Sequence, residues 1–99
     1  MICMIKGYKN AKTRKVRETG KPKGFRGLNG DKAAILMDML DVTSRLDEIS
    51  PLAGIGLHKL VGGRKGQWAI NVNGPWRIFF FPDKDGGWLN VEITDYHKG

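Results

Sequence analysis

The side chains able to do chemistry in this chain are few: His58, Arg77, Asp95, Tyr96 and His97, with a basic loop, Gly62-Gly63-Arg64-Lys65-Gly66, between the first two. Histidine, aspartate and tyrosine transfer protons when suitably placed. Arginine is a permanent cation whose planar fork matches a phosphate. Each also has a plain structural reading. His58, within Leu57-His58-Lys59-Leu60-Val61, reads equally as a surface histidine or one satisfied in the core. Asp95-Tyr96-His97 reads also as a solvated tail. Arg77, between Trp76 and Ile78, is either a surface arginine lying over its neighbours or a phosphate holder on a strand. No P-loop, GxGxxG, GxSxG or HExxH is present, so nucleotide-cofactor chemistry has no support.

These groups need a frame, and after Pro51 the texture is period two. Three runs, Leu57–Val61, Gln67–Asn73 joined to Trp76–Phe81, and Trp88–Thr94, predict an antiparallel sheet. Trp68, Ile70 and Val72 share one face of their strand, and Trp76, Ile78 and Phe80 one face of the next. A two-residue Asn73-Gly74 turn would pair Ile70 with Arg77 and mix the faces. A three-residue Asn73-Gly74-Pro75 loop pairs Ile70 with Ile78 and keeps the apolar side continuous. Arg77 then shares the opposite, wetter face with Asn71 and Gln67. The stretch from Asp83 to Gly87 reads as a hairpin loop. Trp68 and Trp76 fall on the core side, leaving Trp88 as the candidate for stacking on a base.

Before the sheet, MICMIKGY alternates loosely as a short strand, and Asn10 to Glu18 is helix-compatible with Gly20 as a stop. Residues 20–30 form a glycine-rich loop. Asp31 is a good N-cap, and Ile35, Met39, Val42, Leu46 and Ile49 trace one helical stripe that ends at Ser50-Pro51. The outer face of that helix carries Asp38, Asp41, Arg45 and Glu48, with Asp41 and Arg45 spaced for an i,i+4 pair. The expected fold is α+β, with two N-terminal helices packed on one face of a small, mostly antiparallel twisted sheet.

With 99 residues, 40% hydrophobic and 27% charged, the chain reads as a single soluble domain, 1–99. Its lone cysteine, Cys3, allows no internal disulfide. There is no signal-like leader and no run of about 18 apolar residues, so the expectation is a cytoplasmic protein without a membrane partner. The net charge of +7 calls for an acidic partner. Lys6, Lys9, Lys12, Arg14, Lys15, Arg17, Lys21, Lys23 and Arg26 crowd the first quarter, where Glu18 is the only acid. That predicts an electropositive face.

From Leu57 to His97 the order of residues becomes specific: L-H-x-L, then G-x-R-K-G-x-W-x-I-x-V-x-G-x-W-R-I, then D-Y-H. This resembles the HigB branch of the RelE/ParE toxin superfamily. The resemblance implies a RelE-like fold and a toxin of a type II toxin–antitoxin system: a ribosome-dependent endoribonuclease that cuts messenger RNA in the A site. It implies no cofactor and no metal, because RNA carries its own nucleophile in the 2′-OH. By motif position the catalytic candidates are His58, Arg77, Asp95, Tyr96 and His97. Lys59, Arg64, Lys65, Asn71 and Asn73 are the candidate RNA contacts, and Lys12, Lys15 and Arg17 the candidate ribosome contacts. The implied partners are a cognate HigA-like helix-turn-helix antitoxin, the 70S ribosome and messenger RNA, with DNA reached only through the antitoxin. The chain departs from the pattern in having Val61 where lysine is usual and Pro75 where asparagine is frequent before W-R. A gyrase poison of the ParE branch and a non-catalytic RNA-binding module are the competing readings, and both suit the charge. Neither explains His58, Arg77 and the D-Y-H ending together.

Overall fold

The computed structural model describes residues 4–49, 56–60 and 66–95. Cys3, Val61, Arg64, Lys65, Tyr96 and His97 lie outside them. Helix α1 spans Ala11–Thr19 because both ends are closed locally: the Asn10 side chain accepts from the Thr13 amide, and Gly20, at φ 72°, donates its N–H to the Val16 carbonyl. Thr13 is fully buried beside Val16 on the inner side of this mostly polar helix. Its hydroxyl donates to Asn10 at 2.8 Å and accepts from the Ile93 amide at 3.1 Å, tying α1 to the sheet.

Helix α2 spans Gly30–Asp41. Asn29, not Asp31, is its cap: the Asn29 side chain accepts from the Lys32 amide at 3.1 Å, and Asp31 sits within the first turn. Gly30 is required because a Cβ there would run into the Gly20 carbonyl oxygen, where the loop folds back on the helix start. The expected stripe is corrected. Ala33, Leu36, Met37 and Leu40 are buried, while Ile35 is 65% exposed and Val42 80% exposed. The buried set follows i, i+3, i+4, i+7, and at 100° per residue Ile35 and Val42 lie on the far side.

The stripe also assumed one helix through Ile49, but the chain turns after Asp41. The Thr43 hydroxyl donates to the Met39 and Leu40 carbonyls, and the Trp88 indole donates to the Leu40 and Thr43 carbonyls. The released carbonyls are thereby satisfied. A short helix, α3, restarts at Leu46–Ile49, with the Glu48 carboxylate reaching back to the Ser44 and Arg45 amides. The expected Asp41–Arg45 pair does not form, because Asp41 turns inward and Arg45 pairs with Asp47 at 3.3 Å.

The described sheet has four strands in the order β1 (His58–Lys59), β2 (Trp68–Asn71), β3 (Trp76–Pro82) and β4 (Trp88–Asp95), all antiparallel. Ile70 pairs with Ile78, as the three-residue loop requires, and the Val72 amide closes the turn on the Trp76 carbonyl. The 83–87 hairpin loop is closed by the Asp83 amide on the Gly87 carbonyl at 2.9 Å. A bulge in β4, with Asn90 at φ 51°, keeps Trp88, Val91 and Ile93 all facing inward. Trp88 is therefore core and not a stacking platform: it is fully buried, its ring meets Phe80 edge-on at 5.0 Å, and its N–H is bonded to backbone. The N-terminal stretch runs parallel beside β4 through bridges at Ile5–Trp88 and Tyr8–Val91. The fold is α+β, with the helices and the main core on one face of the sheet. Among the described residues no helix is long and apolar enough to cross a membrane.

Candidate functional site

The face of the sheet away from the helices carries the candidate site. Strand alternation puts His58, Ala69, Phe79 and Glu92 in one cross-strand row and Asn71, Arg77 and Thr94 in the next. His58 and Arg77 thus share a face, two strands and one row apart, on the order of 12 Å between Cα atoms. This face is not uniformly wet, as the sequence suggested. Leu60, Ala69 and Phe79 form a small buried cluster on it, and Gln67 is 5% exposed. The polar groups therefore stand on an apolar floor, where an electrostatic contact is stronger than in water.

Arg77 is half-buried, and its Nη1 donates to the Gly74 carbonyl at 2.7 Å and the Trp76 carbonyl at 3.0 Å. No carboxylate pairs with it among the described residues, so two neutral acceptors orient its charge without cancelling it. Asn71 stands directly opposite on β2. Three buried side-chain atoms on this face, Arg77 Nε, Asn71 Oδ1 and Glu92 Oε1, have no hydrogen-bond partner among the described residues. Such groups are costly to bury unmatched and are rare in folded proteins.

His58 Nδ1 lies 2.7 Å from the Gly56 carbonyl oxygen. A carbonyl only accepts, so Nδ1 is the donor in this contact. Gly56 has φ 62°, and a Cβ on it would strike the Asn71 amide nitrogen. Glycine is needed there both to orient His58 and to clear Asn71.

The other predicted residues divide. Asp95 is exposed and in register with Trp76, and the strand stays regular between Thr94 and Asp95, so it sits on the helix-side register and not with Arg77. Lys59 is exposed and pairs with Trp68, which directs it to the side of the sheet away from His58. Asn73 has both ends of its amide occupied by backbone: Nδ2 donates to the Gly27 carbonyl at 2.9 Å, and Oδ1 accepts from the Asn29 amide at 2.8 Å. Tyr96, His97, Arg64 and Lys65 lie outside the described residues. Glu92 is the group that sequence reasoning missed. Its signal was an acid at an alternating position within Leu89–Ile93, on the side that Arg77 takes.

The basic N-terminal region also divides. Lys12 and Lys15 are exposed and, with Ala11, Lys23 and Gly24, line a groove of about 370 Å3. The Lys12 ammonium lies 4.8 Å over the Phe25 ring. Arg17 instead turns inward, meeting Asp41 at 2.7 Å, Asp38 at 3.0 Å and the Tyr8 hydroxyl at 3.1 Å. Burial disfavours its charge, but these hydrogen bonds outweigh burial and raise its pKa. Burial likewise opposes ionisation of Asp41, yet the Ile5 amide and Arg17 hold its carboxyl below the usual range. Among the described residues no group of three or more His, Cys, Asp or Glu side chains is placed to hold a metal ion.

No family model matches the chain. It is 33% identical over 95 residues to Endoribonuclease HigB of Proteus vulgaris, an alignment covering 95% of this chain and 100% of that one.

Proposed function

This chain belongs to the HigB family of toxins, and on that premise we propose that it is the toxin of a type II toxin–antitoxin system, a metal-independent endoribonuclease that cuts messenger RNA in the ribosomal A site. The observation that carries the reading is the co-facial placement of Arg77, Asn71 and His58, with Arg77 oriented by two carbonyls and paired with no acid among the described residues. The scissile phosphate sits on Arg77. Loss of a proton from the adjacent ribose 2′-OH lets that oxygen attack phosphorus, and the P–O5′ bond breaks as the 5′-oxygen takes up a proton. The products are a 2′,3′-cyclic phosphate and a 5′-hydroxyl. Arg77 stabilises the phosphorane as charge builds on its oxygens. His58, on the face of Arg77, and Tyr96 and His97 of the C-terminal ending supply the proton transfers, while Asp95, on the other face, is left out of that role.

Ribosome binding is assigned to the groove of Lys12 and Lys15, with Lys23 in the place first given to Arg17. These three lysines have no ion pair among the described residues, whereas Arg17 is held by two aspartates. A cognate helix-turn-helix antitoxin holds the toxin silent. The decisive substrate is a messenger with a single 2′-deoxy nucleotide immediately 5′ of the cut. It preserves shape and phosphate charge while deleting the nucleophile, so cleavage at that bond stops. Continued cutting there would refute the mechanism.

A further inference from the structure

Arg77 Nη1 rests on two carbonyls, that of Trp76 just before it and, at the shorter distance, that of Gly74, the middle residue of the three-residue turn between β2 and β3. That turn is anchored from outside the sheet. Asn73 bonds the loop before α2 at both ends of its amide, to Gly27 and Asn29, and Trp76 donates its indole N–H to the Arg26 carbonyl at 3.0 Å. Phe25 meets Trp76 edge-on at 5.5 Å, which seats the same loop on the same turn. Asn29 is in turn the cap of α2, so the far end of this anchor is fixed to a helix.

Asn73 spans 44 and 46 residues of sequence with two hydrogen bonds from one side chain. Turn residues of a short hairpin ordinarily need no such anchor. Gly74 itself has φ 53° and open space around its Cα. The turn therefore takes its position from Asn73 and Trp76 and not from packing around Gly74. A shift of the turn moves the Gly74 carbonyl, and with it the guanidinium, relative to His58 on β1.

We infer that Asn73 is a positioning residue for the cleavage reaction: it contacts no RNA and acts through the turn that holds the Arg77 guanidinium. The inference rests on the reading of Arg77 as the phosphate-binding residue. A displacement of about 1 Å at a reacting group costs up to about a hundredfold in rate, so a residue remote from the phosphate can matter this much.

The test is a double-mutant cycle with the full chain on messenger RNA in translating ribosomes. Asn73→Ala lowers kcat roughly ten- to a hundredfold with KM near wild type. The double variant Asn73→Ala/Arg77→Ala is no slower than Arg77→Ala alone, because no guanidinium remains to be placed. Asn73→Asp, which keeps the acceptor for the Asn29 amide and loses the donor to Gly27, falls between wild type and Asn73→Ala. Before any RNA is added, the Arg77 Nε–H nuclear magnetic resonance signal shifts in either Asn73 variant, a readout that needs no activity. An additive cycle, a raised KM at unchanged kcat, or an unmoved Arg77 signal overturns the inference. Loss of cleavage in Arg77→Ala with wild-type cleavage in Asn73→Ala also overturns it and leaves the reading of Arg77 standing. Wild-type cleavage in Arg77→Ala overturns both.

Discussion

The two faces of one sheet have opposite character. On the helix side Ile70, Val72, Ile78, Phe80, Val91 and Ile93 are each no more than 2% exposed and fill the main core. On the other side Asn71, Arg77 and Glu92 bury polar atoms without partners among the described residues. Neighbours in sequence fall on different sides: Ile78 packs, and Arg77, one residue earlier, meets its surroundings through charge. On the proposed function, stability and chemistry are divided by the pleat of a strand, with the packed side as the frame on which the polar groups of the other side stand.

The largest expected effect tests the packed side. Ile78→Ala removes buried methyl groups where strands and helices meet and lowers stability by about 2–5 kcal/mol. Denaturant unfolding measures it, and a loss under 1 kcal/mol would mean the core does not converge there. Its mirror is Arg77→Ala, which loses about 2–4 kcal/mol of transition-state stabilisation, roughly 30- to 1,000-fold in cleavage rate. Its unfolding midpoint stays close to wild type, since the apolar face is untouched. Equal damage to folding and cleavage by both variants would dissolve the contrast.

Asp41 gives a smaller effect on the packed side. Its folded pKa lies below the unfolded value of about 3.9, so its contribution is complete above that pH and is lost as pH falls through the folded pKa. Asp41→Asn costs about 1–3 kcal/mol at neutral pH and flattens the fall in stability below pH 4. A variant with the same acid limb as wild type would show that Asp41 does not carry it. Smallest on the fold is neutralisation of Lys12, Lys15 and Lys23 to glutamine, which changes stability by less than about 0.5 kcal/mol. Ribosome affinity falls and its salt dependence flattens by up to about three counterions. Arg17→Gln instead shows itself in unfolding. If Arg17 dominates the salt slope, the division of the basic region is wrong.

Local chemistry made part of this legible. Asn10 and Gly20 close α1 within its own residues, and the register of β2 with β3 follows from keeping Ile70 and Ile78 on one face. Arg77 and Asn71 were placed together by the same alternation. Helix α2 was misread because its end lies in Thr43 and Trp88, and the indole comes from a strand 45 residues away in sequence. A stripe running through that break selects the wrong side of the helix.

The sequence by itself determined the alternation, the ends of α1 and the motif order from Leu57 to His97, because each depends on neighbours within a turn or a strand pair. Tertiary structure alone decided which cations are available. Arg17 and Lys12 are equivalent in composition, and only the approach of α2 and Tyr8 binds the first while the second stays exposed. It likewise turned Asn73 toward the Gly27–Asn29 loop and sent Trp88 into the core through the bulge at Asn90. Those outcomes depend on contacts between residues distant in sequence, whose geometry exists only once the helices have closed over one face of the sheet.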